Sequence, residues 1–261
     1  MDLLKWRKKA EYIGKSLSDS GNYVELCHRA SWNNETFNSF RSNSFYNEIL
    51  EHVSYEQGME YLQNIPCLDH FEEFKKNDLY GGPRVYAYPE IGNISPTTLR
   101  YIKILYDIEK KFGSLKNYRL CEIGVGYGGQ CRLCCQYFDI SEYVLLDLPP
   151  VLDLAKRYLS LFPIKTALKF TTLNESPGNQ EFDLLISNYA FSEISRDIQQ
   201  VYMEKIIRKA RCGYIIYNEI SSRLNFYSKD EILSAIPNSI ECPEVPLTNP
   251  RNCVIVWDNI N

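Results

Sequence analysis

The chain has 261 residues, 44% of them hydrophobic and 24% charged, with a formal net charge of -4. That length buries a sizeable core without disulfides or structural metals and suits one medium domain with an appendage. A net-negative chain with no long basic stretch has no general attraction for phosphate backbones, so nucleic acid is excluded as the expected partner.

Met1 to Leu17 carries charges inside every apolar run and lacks the apolar core of a signal peptide. No stretch anywhere approaches the roughly 18 consecutive apolar residues of a membrane span. A cytoplasmic protein with no membrane partner is expected. The segment to about Tyr80 reads as several short helices with polar breaks at Ser18 to Asn22 and Ser31 to Asn34. Within it Tyr46, Ile49, Leu50 and Val53 recur at i, i+3, i+4, i+7 and make one apolar face, suited equally to a homodimer contact or a substrate lid. Residues 1–83 are therefore expected to form a helical cap, closed by Gly81-Gly82-Pro83. Tyr86 to Ile94 then reads as an irregular, aromatic-rich linker.

Residues 84–261 read as a second unit. Ser95 caps a helix whose first position is Pro96 and which runs to about Phe112. Strand and helix then alternate: strand Arg119 to Ile123, a helix from Gly129, strand Tyr143 to Leu146, a helix to Leu161, and strands Leu168 to Thr172 and Phe182 to Ser187. A helix over Ser195 to Ala210, strand Gly213 to Tyr217, a short helix capped by Ser228 with Glu231 three residues on, and strand Cys253 to Trp257 complete the series. Such alternation predicts an α/β architecture, a mainly parallel Rossmann-like sheet with helices on both faces. Ligands of such sheets bind outside the carboxyl ends of the strands. The helix after Gly129 holds Cys131, Cys134 and Cys135. They have no second pair or nearby histidine, so they are expected to be small apolar packing residues and no metal site is predicted.

The residues that carry chemistry follow the strands. Leu120-Cys121-Glu122-Ile123 runs into Gly124, Gly126, Gly128 and Gly129, and so many glycines let the backbone turn sharply and a ligand approach. The turn, with Tyr127 inside it, is expected to hold a nucleotide-like cofactor. An acid at Glu122 would repel a pyrophosphate but can anchor a cationic methionine moiety, which favours S-adenosylmethionine. Asp147 ends the next strand, where a carboxylate can accept both hydroxyls of an adenosine ribose, with Leu148 beside it. Asn174, after the third strand, is a candidate for the adenine edge. The fourth strand ends Ser187-Asn188-Tyr189 with Glu193 just beyond. Ser187 and Asn188 are expected to face the cofactor, Glu193 to take the proton of a nucleophile, and Tyr189 to orient the substrate beside it. The alternative role for Glu193 is an acid interacting with the dipole of the next helix. Because tyrosine and phenylalanine number 20 and 12, more than packing needs, some aromatics are expected to line a polar organic pocket.

Five strings, Gly81-Gly82-Pro83, Ile94-Ser-Pro-Thr-Thr-Leu-Arg-Tyr101, Glu122-Ile-Gly-Val-Gly-Tyr-Gly-Gly-Gln130, Leu146-Asp-Leu-Pro149 and Ile186-Ser-Asn-Tyr-Ala-Phe-Ser-Glu193, resemble the sugar O-methyltransferase family. The likeness spans about Gly81 to Trp257. It implies a class I, S-adenosylmethionine-dependent methyltransferase with a seven-stranded sheet, acting on a hydroxyl of a sugar, nucleotide sugar or glycan. Arg100 and Tyr101 lie in the second string and, with His70 near the linker, are expected to meet the substrate. Asp-Leu-Pro also resembles plant-type small-molecule O-methyltransferases, whose catalytic histidine follows the fourth strand. This chain has Phe191-Ser192-Glu193 there, which speaks against a phenol substrate. Two rival functions follow from the same residues. Gly124-x-Gly-x-x-Gly129 also fits a nicotinamide-dependent oxidoreductase or epimerase, and the fold can serve as a non-catalytic binding module. Glu122 and the late strand Cys253 to Trp257 weigh against the first, Glu122 and Asp147 together against the second.

Overall fold

The structure is a computed structural model that describes residues 21–176, 180–219 and 226–259. The Met1 to Leu17 stretch lies outside the described residues. One seven-stranded sheet organises the molecule. Its strands are β3 (Arg119–Ile123), β4 (Glu142–Leu146), β5 (Ala167–Thr171), β6 (Phe182–Asn188), β7 (Ala210–Tyr217), β8 (Ile240–Pro243) and β9 (Cys253–Asp258), in the order β5-β4-β3-β6-β7-β9-β8. Neighbours from β5 to β7 are parallel, whereas β9 runs antiparallel to both β7 and β8.

Alternation along each strand splits the core. Leu120, Tyr143, Leu145, Leu184, Ile186 and Tyr214 belong to one buried cluster, and Cys121, Ile123, Val144, Leu185, Ile215 and Trp257 to the other. The first is covered by helices α6 (Pro96–Phe112), α7 (Gly129–Tyr137) and α8 (Pro149–Leu159), the second by α9 (Arg196–Lys205) and α10 (Lys229–Ala235). Both faces are covered because parallel strands need crossover helices. Ser95 caps α6 by accepting the amide of Thr98, with Pro96 next, and Ser228 with Glu231 forms the capping box of α10, both where the sequence places them.

Before the sheet come α1 (Gly21–Trp32), α2 (Asn34–Ser39), the short α3 (Ser44–Tyr46) running into a π-helical turn at Asn47–Glu51, α4 (Tyr55–Gln63) and α5 (Phe71–Lys75). Their buried residues, Tyr23, Cys27, Phe40 and Tyr46 among them, join the same cluster as α6 to α8. Arg41 is the polar counterpart of that continuity. It is fully buried, pairs with Glu51 at 2.5 Å and Asp78 at 3.0 Å, and donates to Ser95 Oγ at 3.1 Å. Its guanidinium also lies 4.5 Å from the centre of the Tyr127 ring. The cap is thus bound to the start of α6 and to the glycine turn by a paired, desolvated charge.

Two sequence expectations differ from the fold. The linker over Tyr86 to Ile94 is a hairpin, β1 (Tyr86–Tyr88) paired antiparallel with β2 (Gly92–Ile94), and its turn is made by Glu90 and Gly92 at φ 66° and 73°. Tyr86 and Tyr88 alternate around Ala87, a period of two too short to stand out, and Tyr88 becomes ordered by stacking on Tyr55 at 4.9 Å. Strand β8 has no sequence signal because Ile240 and Glu241 on this edge are exposed, so no apolar alternation is required there.

Candidate functional site

The strand-to-helix turn after β3 places Gly124 at φ 77° and Gly126 at φ 52°. A side chain is unfavourable at both, and space forbids it as well. A Cβ on Gly124 would come within 2.1 Å of Ala190 Cβ, and one on Gly126 within 2.5 Å of Leu50 Cδ2. The glycines therefore admit neighbouring protein on both sides, the cap's leucine at one and the segment after β6 at the other. Asp147, at the end of β4, holds the turn in place. Its Oδ2 accepts the amides of Val125 at 2.8 Å and Gly126 at 3.3 Å, and its Oδ1 accepts that of Leu148 at 2.7 Å.

Glu122 lies beneath the turn. It is 2% exposed and accepts a hydrogen bond from the Tyr143 hydroxyl at 2.8 Å. Burial pushes its carboxyl up to about 8, the Tyr143 bond opposes the shift, and Asp147 adds to it. A carboxyl held neutral by desolvation ionises readily when a cation arrives.

Above these residues opens a cavity of about 960 Å³, within the size range of small-molecule sites. Glu122, Gly124, Gly126, Asp147, Leu148 and Asn174 line it. So do Arg100, Tyr101, Asn188, Tyr189 and Glu193, together with Tyr61, Asn218 and Asn252. Strand β6 ends abruptly: Tyr189 sits at φ 68°, a conformation costly for a bulky residue. Its hydroxyl donates to Glu244 at 2.5 Å. Glu193 accepts from Asn218 Nδ2 at 2.9 Å. Burial raises its carboxyl above the usual range, with Asn218 and Arg100 pulling it back. Asn188 Nδ2 donates to Gln130 at 3.4 Å, while its Oδ1 is buried with no partner among the described residues.

Four residues expected at the site lie elsewhere. Tyr127 is fully buried against Arg41, Phe40, Tyr46 and Tyr158, with its hydroxyl accepting from Asn77 at 3.2 Å, so it fastens the cap rather than lining the cavity. Gly128, at φ 89°, packs on Leu159. The Ser187 hydroxyl is wholly buried, donating to Ile123 O at 3.3 Å and accepting from Phe191 N at 3.1 Å, so it shapes the strand end. His70 is exposed at the start of α5 and packs edge-on to Tyr137 at 5.6 Å, outside the cavity. Its distance from the cleft is set by the path of α5, which its sequence neighbours do not reveal.

Sequence reasoning missed Tyr61, His52, Asn218 and Asn252. Asn218 directly follows β7, and the rule that ligands meet strand ends would have found it. Tyr61 and His52 arrive from the cap, where a helical face marks packing but not its target. Ile49, Leu50 and Val53 line the cavity, so the π-helical turn Asn47–Glu51 and the residues just after it serve as a wall of the site.

The strand order, with β9 reversed and inserted between β7 and β8, and the glycine turn after β3 define a Rossmann-like class I methyltransferase fold. A dinucleotide-binding sheet runs 3-2-1-4-5-6 with no such insertion. No protein-family model matches the chain, and no curated protein matches its sequence. Among solved structures it is similar to a candidate sarcosine dimethylglycine methyltransferase from Galdieria sulphuraria (TM-score 0.46, 13% identity, covering 62% of this chain and 87% of that one). It is also similar to a candidate RNA methyltransferase from Pyrococcus horikoshii (0.45, 13%, 72% and 96%) and to a candidate O-methyltransferase from Nostoc punctiforme (0.44, 15%, 77% and 70%). At such identities and scores the fold rests on the chain's own strand order. Among the described residues no helix is long and apolar enough to cross a membrane.

Proposed function

We propose that this chain is an S-adenosylmethionine-dependent O-methyltransferase acting on a sugar hydroxyl. The observation that carries the reading is one cavity lined by a buried acid, a glycine turn and a second, partly buried carboxylate. The residues suit the cofactor: Glu122 is a buried carboxyl for a cationic centre, and Asn188 Oδ1 is a buried acceptor with no donor among the described residues. Asp147 would accept ribose hydroxyls alongside the turn amides, and Asn174 would meet the adenine edge. When bound, S-adenosylmethionine supplies an electrophilic methyl group whose thioether leaving group requires no acid.

The chain's own task is then to orient a hydroxyl and accept its proton. Glu193 would accept the proton, and Asn218 Nδ2 donates to its Oε1. Tyr61 and Tyr189 offer aromatic faces and Asn249 offers an amide in the same cavity, a combination that suits the apolar faces and hydroxyl edges of a sugar. The strings resembling sugar O-methyltransferases support the same substrate class.

The test is binding followed by turnover. S-adenosylhomocysteine should raise the melting temperature, because a ligand selective for the native state stabilises it, and NAD should not. A mass-spectrometric screen of nucleotide sugars and glycans with S-adenosylmethionine should reveal a gain of one methyl group. Stabilisation by NAD alone would sink the reading. Asp147→Ala should weaken S-adenosylhomocysteine binding by about 1 to 3 kcal/mol, from lost charge-assisted hydrogen bonds. Unchanged affinity in calorimetry of the folded variant would remove Asp147 from the site.

A further inference from the structure

Arg100 has a feature the reaction itself does not call for. It is 6% exposed and lines the cavity. Its Nη2 donates to the carbonyl of Leu50 at 3.0 Å, and among the described residues its buried Nε has no partner and it forms no ion pair. Glu51, in the same region, is committed to Arg41 at 2.5 Å. The guanidinium instead lies 5.6 Å from the ring centres of both Tyr101 and Tyr189. A desolvated cation flanked by aromatic rings, with Glu51 and Glu193 acting on it only from beyond ion-pair distance, gains from a ligand that brings an anion into contact. Guanidinium also matches carboxylate and phosphate in geometry.

We propose that Arg100 recognises an oxyanion of the acceptor, so that the substrate is an acidic sugar bearing a carboxylate or phosphate. This rests on the methyltransferase reading for the reaction, but not for the anion site. Position favours the acceptor over the cofactor's own carboxylate. The Arg100 guanidinium lies 5.6 Å from the ring centre of Tyr189, four residues before Glu193, and both residues line the cavity. The net charge of -4 opposes an anionic ligand at long range, so a local cation is what admits one.

The full chain is titrated by saturation-transfer NMR with glucuronate, glucose 6-phosphate and glucose, with and without saturating S-adenosylhomocysteine. At least one anionic probe should bind about tenfold or more tightly than glucose, as loss of a charged hydrogen bond implies. Arg100→Met should remove that preference while S-adenosylhomocysteine affinity holds. Arg100→Lys, which keeps the charge but not the planar fork, should retain part of it and carries the test if the methionine variant does not fold. Glucose binding as well as both anions overturns the proposal. So does loss of S-adenosylhomocysteine affinity in the variants without any anionic probe binding, which would assign Arg100 to the cofactor's carboxylate. If the wild-type chain takes up no S-adenosylhomocysteine, the methyltransferase reading fails, and the arms without it still decide the anion site.

Discussion

Replacing Glu193 with glutamine should lower kcat by about 100- to 10,000-fold, the usual worth of a general base, while S-adenosylhomocysteine affinity stays close to that of the wild type. A sugar hydroxyl is a poor nucleophile while protonated, and Glu193 is a carboxylate that lines the cavity just beyond the β6 terminus. Burial raises its proton affinity, which brings a carboxylate nearer the range in which a base works at neutral pH. Glutamine keeps the side chain's length and still accepts the 2.9 Å bond from Asn218, but it cannot take the proton. Chemistry and binding should therefore separate in single-turnover and calorimetric measurements. Near-normal turnover in the variant would leave Glu193 as an acid at a helix terminus, and His52 would be the next base to test because it also lines the cavity.

Cofactor affinity should rise with pH by about tenfold per unit from pH 5.5 to 6.5. In the ligand-free protein burial holds Glu122 protonated up to about 8. A bound cation favours its ionised form, so binding expels a proton and is weaker where protons are abundant. The chosen window lies below the titration of an α-amino group, about 7.7 to 8.0, so the ligand's ammonium stays charged. Stability of the free protein runs the opposite way. Between the ordinary carboxyl value of 4.5 and about 8 the unfolded chain is ionised at this position and the folded chain is not, so stability falls as pH rises. Calorimetry with S-adenosylmethionine should show the slope in wild type and in Glu193→Gln, and lose it in Glu122→Gln. A flat wild-type profile would mean that Glu122 does not meet the cation.

How much was legible varies with the range of the interaction. Pro96 after Ser95, and Glu231 three residues beyond Ser228, announce helix starts because the bonds that cap a helix join residues three apart. Glycines at 124, 126 and 128 announce a turn because a backbone at positive φ disfavours a side chain. The same glycines did not reveal what they make room for: Ala190 and Leu50 lie 66 and 76 positions away from Gly124 and Gly126. Tyr127 read as a cofactor contact because it sits inside the turn, yet its ring is claimed by Arg41 and the cap aromatics.

By itself, then, the sequence determined the alternating strands, the class of sheet, the turn after β3 and the acids at its edges, since each depends on neighbours a few residues away. Only the tertiary structure decided that Ile49, Leu50 and Val53 wall the cavity, that Arg100 is buried there with its Nε unpartnered among the described residues, and that Asn218 holds Glu193. Those facts arise where segments distant in the chain pack together and exclude water. Desolvation then sets the charge state and partner of each group, and no local pattern of residues encodes it.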